Sequence, residues 1–203
     1  MAFKEEIFIP TVSTQEATSI FDCVLLDNPV FFHVSSYAFS VDSDNFTNLI
    51  QPDYNTTKSV AIQYLEKISQ YLMKFDAAKS MDDLNKELYV HDFCLNYVEY
   101  DYKFNESSHS VIGPVFYNTA VCEGIAKFVK IIFDYIGIKS LIVSGKTKHP
   151  TTGLTENHAW NIVEINGDFC HLDVTFDMTL TDKQNRYDYF NLPDKDIIDI
   201  FGK

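Results

Sequence analysis

Apolar positions along this chain change period several times, and each change marks an element. Over residues 14–27 they fall at 17, 20, 21, 24 and 25, one face of a 3.6-residue period, and Asn28-Pro29 closes the helix that this predicts. Residues 30–46 are dense in aromatics and alternate poorly, which predicts one or two strands or irregular extended chain. Residues 52–57 read as a turn, with Thr56 or Thr57 as N-cap of a second helix over about 58–75. Its expected buried stripe is Val60, Ala61, Tyr64, Leu65, Ile68, Tyr71 and Leu72. Ser80-Met81-Asp82-Asp83 has the form of a capping box and opens a third helix, in which Leu84, Leu88, His91, Leu95 and Val98 recur at spacings of four and three. His91 is read as a core-edge histidine with one nitrogen satisfied, in preference to a catalytic one. Residues 100–110 are polar and loop-like, a natural rim for a substrate to cross.

The helix opening at Cys122 is apolar almost all round, with Ile125, Val129, Ile132, Phe133 and Ile136 inward and Ala126 and Phe128 beside them. It is predicted to be the central, most buried helix, closed by Gly137. Residues 139–145 then read as a strand and 146–157 as a loop rich in Thr, Gly and Pro. Asn166-Gly167 between two strand-like runs, 159–165 and 168–175, predicts a hairpin with a two-residue type I′ turn. That turn sets Ile165 opposite Asp168, so His158 falls opposite Thr175, and Asp173 lies two residues from Thr175 on the same face. Such a diagonal pair is roughly 7–8 Å apart at the backbone, within reach of an imidazole and a carboxylate. Trp160 faces Asp173 on this surface.

This pattern suggests chemistry. A thiol at a helix start gains from unpaired N–H groups and the helix dipole, which favour a thiolate. His158 would take its proton and Asp173 would hold the other ring nitrogen. Taken singly, Cys122 is a small buried hydrophobe and His158 a loop-to-strand polar residue, but a carboxylate such as Asp173 within an apolar strand demands a partner. His171, opposite Ile162 on the same face, is the competing base. His158 is preferred because a strand end beside a long loop is more accessible. The Cys122 N–H is the expected oxyanion donor, with the second donor unassigned.

Composition narrows the reading. The 203 residues, 46% hydrophobic, suffice for one sizeable core, so a single domain is expected, with a helical, aromatic-rich part over 1–79 and a catalytic core over 80–203. A net charge of −13 makes nucleic acid a poor partner. No apolar run approaches membrane-spanning length and no signal peptide is visible, so a soluble chain without membrane insertion is expected. Its compartment is open between the cytoplasm and a piece cut from a secreted or surface precursor. Cys23, Cys94, Cys122 and Cys170 are far apart with no CxxC pair, against a zinc knuckle or redox dithiol. No metal or organic cofactor is expected.

Three runs, Val121-Cys122-Glu123-Gly124-Ile125-Ala126, His158-Ala159-Trp160-Asn161-Ile162-Val163 and His171-Leu172-Asp173-Val174-Thr175-Phe176-Asp177, resemble the core motifs of the bacterial transglutaminase-like superfamily. The likeness extends less specifically to Asp27-Asn28-Pro29-Val30-Phe31-Phe32, His91-Asp92-Phe93 and Val98-Glu99-Tyr100-Asp101. It implies an α+β fold, with the helical N-terminal part packed on a transglutaminase-like core and the nucleophile at the N-terminus of a central helix against an antiparallel sheet. It also implies a papain-like thiol enzyme in which Cys122 is the nucleophile, His158 the general base and acid, and Asp173 the orienting carboxylate. Trp160, His171, Asn118 and Glu123 are expected around them, touching substrate or supporting the triad. Phe176 stands where Trp is frequent and Ile125 where an aromatic is commoner, which alters pocket walls rather than the triad. The expected activity is acyl transfer or hydrolysis on protein or peptide amides, with water or an amine as acceptor; the alternative is an inert binding or adhesion module on the same fold. Acetyl transfer from coenzyme A is disfavoured, since no Arg-Gly-Gly run precedes the cysteine.

Overall fold

The computed structural model describes residues 3–148, 153–179 and 186–201. The chain divides into two compact units, Met1–Tyr71 and Leu72–Lys203, whereas the sequence suggested one domain with a seam between 79 and 80.

In the first unit β1 (Ile7–Ser13) leads into α1 (Thr14–Asp27), followed by β2 (Val34–Val41), β3 (Phe46–Tyr54) and α2 (Lys58–Leu72). The N-terminal part is thus mixed rather than helical, because its three strands form an antiparallel sheet in the order β1-β3-β2. The α1 boundaries are those of the periodic run, fixed by a reciprocal Ser13–Glu16 capping box and by Asn28 at the other end. Of its predicted stripe Ala17 is buried and Phe21 meets Tyr37 edge-on at 4.6 Å, while Ile20 and Val24 remain exposed. Pro52, expected in a turn, lies inside β3. β1 pairs with β3 only as far as Ile50, so beyond that point β3 is an edge and a missing N–H costs no ladder bond. Thr57 is the cap of α2, its hydroxyl accepting from the Val60 N–H at 3.4 Å.

The second unit opens with a 3₁₀ turn, Met73–Ser80, and α3 (Asp83–Tyr97). Asp82 rather than Ser80 caps α3, accepting from the Asn85 N–H at 3.0 Å, because the Ser80 hydroxyl is spent inside the turn on the Ala77 carbonyl. The buried face of α3 carries Glu87, Val90, His91, Cys94 and Leu95, and Leu84 is left exposed. Then come β4 (Glu99–Tyr100) and β5 (Thr119–Ala120), a short parallel pair, and α4 (Cys122–Ile136), closed by Gly137 at a φ of 84° that suits glycine. β6 (Ser140–Lys148), β7 (Thr155–Ile165) and β8 (Asp168–Leu172) form an antiparallel sheet with β7 central, followed by α5 (Val174–Thr179) and α6 (Asp194–Phe201). α4 packs against β7, β6 and α3. Its buried Phe128, Val129, Ile132 and Phe133 make it the apolar centre expected of it.

Half of the loop expected over 146–157 is strand: β6 continues to Lys148 and β7 begins at Thr155, each pairing with the other. Residues 149–152 lie outside the described residues. The Asn166-Gly167 turn has φ values of 53° and 93°, and the pairing runs from Ile165↔Asp168 to Asn161↔Leu172 in the expected register. Pairing stops there. Thr175 belongs to α5, so neither His158 opposite Thr175 nor Trp160 opposite Asp173 exists as a cross-strand pair. No helix among the described residues is long and apolar enough to cross a membrane.

Candidate active site

Cys122 is the first residue of α4 and is half-buried. Val121, the residue before it, offers no side-chain cap, and the first helical bond is Ile125 N–H to the Val121 carbonyl. The N–H groups of Cys122, Glu123 and Gly124 therefore begin the helix without intrahelical partners. This end is clamped by the loop after β4. The Val121 N–H donates to the Ser108 carbonyl at 3.1 Å, and Ser108 Oγ donates to Asp101 at 2.6 Å. Asp101 also accepts from the Lys103 and Asn105 N–H groups and the Asn105 amide, each at 2.9 Å, and these bonds hold its carboxyl well below the usual carboxylate range.

His158 and Asp173 do meet. The Nε2 of His158 lies 2.6 Å from Asp173 Oδ2, with both side chains buried. The route differs from a diagonal strand pair. β8 ends at Leu172, and Asp173 caps the helix that follows: its Oδ1 accepts the Phe176 N–H at 3.0 Å and its carbonyl accepts the Asp177 N–H at 3.1 Å. One carboxylate oxygen is fixed by the helix, and the other is aimed at the imidazole. Cys122 is the other group that acts on His158, its thiol helping to raise the imidazole pKa. Since Nε2 is engaged by Asp173, Nδ1 is the nitrogen left for the sulfur.

Burial pulls the His158 pKa down, but the Asp173 charge and hydrogen bond, together with the Cys122 thiol, outweigh it and raise the value to about 9. The ring is therefore cationic at neutral pH. It is also stacked between two aromatics, Phe176 at 4.1 Å and 10° and Trp160 at 5.8 Å and 19°, an arrangement suited to an imidazolium.

His171 does not compete for the thiol. Its Nδ1 accepts the Trp160 indole N–H at 2.9 Å, which places its proton on Nε2, 3.0 Å from Asp194 Oδ1. Both nitrogens are committed, and His171 serves to hold Trp160 against His158. Glu123 pairs with Lys127 at 2.5 Å and His109 at 3.4 Å along the surface of α4. Asn118 is exposed, with a left-handed φ of 56°, and contributes through its backbone, its carbonyl accepting the Glu99 N–H at 2.8 Å.

Three participants were not foreseen. Asn161, buried on β7, donates to the Ala126 carbonyl at 3.1 Å and so ties the strand of His158 to the helix of Cys122. Phe176 is the closer of the two rings on His158. Tyr100, on β4, has its phenol pushed up to about 12, first by burial and then by the charges of Cys122 and Glu156, so it stays protonated. Asn161 left a sequence signal, an amide in the middle of an apolar strand. Tyr100 left none beyond its place next to a polar loop.

The family model of the transglutaminase-like superfamily matches residues 70–174, more than half of the chain. The chain belongs to that superfamily. Among solved structures it is similar to a transglutaminase, at 15% identity and a TM-score of 0.50, over 75% of this chain and 47% of that one. It is also similar to a candidate cysteine protease from Cytophaga hutchinsonii, at 11% identity and a TM-score of 0.45, over 86% of this chain and 68% of that one. At such identities the first likeness concerns the fold alone, and this chain spans about half the length of that transglutaminase. A comparison with curated proteins gave no match.

Proposed function

We propose that this chain is a thiol enzyme that transfers acyl groups from protein or peptide amides through a covalent thioester. The observation that carries the reading is the buried bond between Asp173 and His158, an imidazole whose raised pKa is due in part to Cys122 at the first position of α4.

The Cys122 thiolate, stabilised by the imidazolium and the helix N-terminus, attacks the amide carbonyl carbon. A C–S bond forms, and the carbonyl electron pair moves to oxygen, where the Cys122 N–H is the first donor to receive it. Collapse breaks the C–N bond, and the leaving amine takes the proton from His158. Neutral His158 then accepts a proton from the incoming nucleophile, which attacks the thioester and expels the thiolate. Asp173 keeps the ring in one orientation and stabilises its charge throughout. Water as the nucleophile makes the chain a protease or amidase, and an amine makes it a transglutaminase. The first half-reaction is common to both.

Incubation with casein and a fluorescent primary amine tests the proposal. Amine incorporation lost in Cys122→Ala supports transfer, and fragments lost in the same variant support proteolysis. Neither product, together with no covalent adduct from a peptide chloromethyl ketone, would overturn the reading in favour of an inert binding module.

A further inference from the structure

A second buried histidine–carboxylate couple lies one helical turn beyond the first. His91 Nε2 on α3 is 2.9 Å from Asp177 Oδ2 on α5, and both residues are fully buried. Nothing in the chemistry proposed for Cys122 uses them, yet their bonds lead back to Asp173. Asp177 Oδ1 accepts the Tyr189 N–H at 2.9 Å, and the carbonyl of the same Tyr189 accepts the Asp173 N–H at 2.9 Å. The Asp177 N–H donates in turn to the Asp173 carbonyl. The Asp173 peptide is thus gripped on both sides by groups that Asp177 fixes, and Asp177 is fixed by His91.

Residues 187–192 are neither helix nor regular strand, so their place beside Asp173 depends on anchors. His91 supplies two of them directly. Its ring packs on Tyr187 and Phe190, each at 5.1 Å between centroids. Its Nδ1 is 3.4 Å from Asp92 Oδ1, which also accepts the Tyr187 hydroxyl at 2.8 Å. Further along, Leu192 exchanges two backbone bonds with His171, at 2.7 and 2.9 Å, and so lies beside the residue that holds Trp160.

We propose that His91 and Asp177 are positioning residues for Asp173, acting through the Tyr189 peptide to keep its carboxylate aimed at His158. The proposal deepens the acyl-transfer reading and rests on it for its consequence in catalysis. Its geometric content, that His91 governs the Asp173–His158 bond, stands apart from any activity. Burial pushes the Asp177 carboxyl up against the pull of His91 and the Tyr189 N–H, so losing His91 removes a partner that keeps this carboxylate charged and in place.

The test is a histidine side-chain NMR titration of the full chain, with the His158 resonance assigned by its absence in His158→Ala. Wild-type His158 is expected to titrate near 9, burial pulling its pKa down and Asp173 chiefly raising it. In His91→Phe, which fills the ring volume and breaks the Nε2 bond, the His158 midpoint falls by about one unit, tenfold in proton affinity. In His91→Gln, whose amide still reaches Asp177, it stays within about 0.3 unit of wild type. Should His91→Phe be too unstable to titrate, His91→Asn, with an amide too short for the contact, carries the same expectation as His91→Phe. A wild-type His158 midpoint in the variant that breaks the contact, even with a lower melting temperature, overturns the proposal and leaves His91 a staple of the core. A high wild-type midpoint with an inert Cys122 would instead sink the acyl-transfer reading and leave the positioning role standing.

Discussion

Replacing Gly124 by alanine sets two effects of opposite sign against each other, and the structure says which should win. Gly124 lies in the first turn of α4, where alanine ordinarily gains about 1 kcal/mol in helix propensity. A Cβ built there would stand 2.1 Å from the Ser108 carbonyl oxygen and 3.0 Å from its carbon. Relief requires the two backbones to separate by roughly 1 Å, and neither is free to move. The same Ser108 carbonyl accepts the Val121 N–H, and Ser108 Oγ is bound by an Asp101 carboxylate with three further donors. Overpacking of this kind costs about 1–3 kcal/mol, so after the propensity gain the net expectation is a loss of up to about 2 kcal/mol in urea unfolding. The helix start and its thiol move with the clash, and displacements near 1 Å at a reacting atom cost up to about 100-fold. Alkylation of Cys122 by iodoacetamide at pH 6.5 should therefore slow by roughly 10- to 100-fold while Cys23, exposed in the other unit, reacts as before. A more stable Gly124→Ala protein with unchanged Cys122 reactivity would refute the claim that this loop sets the position of the nucleophile.

Other expectations concern charge. The His158 pKa is raised from 6.5 to about 9, so its contribution to stability is complete below about 6.5 and is lost as pH rises through 9; thermal unfolding between these values should show a decline on the order of 3 kcal/mol. His158→Gln should flatten that decline. Glu87, fully buried with no hydrogen-bond partner on either oxygen among the described residues, has its carboxyl pushed up by burial to about 8. Its raised value has the same sign, with stability present below 4.5 and lost through 8, so Glu87→Gln should stabilise the protein at pH 7 by up to about 3 kcal/mol and leave it unchanged at pH 4. Equal effects at both pH values would mean that Glu87 finds a partner in solution. Asp173→Asn keeps the helix cap but removes the charge that sustains the imidazolium, and amide turnover should fall by about 10²- to 10⁴-fold with the fold retained. A loss of only a few-fold would remove Asp173 from the proposed machinery.

How much of this was legible beforehand followed from how local each interaction is. The ends of α1 and the 165–168 turn are set by residues within four positions of one another, so apolar periodicity, Asn28-Pro29 and turn chemistry located them. The nearness of His158 to Asp173 was also legible, although Asp173 arrives there as the cap of α5 and not along a continued strand. An apolar Val-Thr-Phe run looks the same whether it pairs or coils, and only the carboxylate's bond to Phe176 marks the change. The strand character of residues 146–148 and 155–157 was hidden because pairing between β6 and β7 overrides a local preference for loop. The His91–Asp177 couple joins residues 86 positions apart and leaves no periodic trace; on α3 alone His91 reads as an ordinary core histidine. Glu87 was missed because the stripe runs through Leu84 and Leu88 in the first turns, where Lys86, Glu87 and Val90 are the buried positions, and joins the buried face only at His91 and Leu95.

The central claim is that Cys122 and His158 form a thiolate–imidazolium pair. The most direct measurement is the rate of iodoacetamide alkylation, mapped cysteine by cysteine, between pH 5 and 8. Cys122 should label fastest at the acid end and His158→Ala should abolish this advantage, while the buried Cys94 stays inert in both proteins, its thiol pushed up by burial. Slow labelling of Cys122 that rises with pH like that of an ordinary thiol and is indifferent to His158 would contradict it.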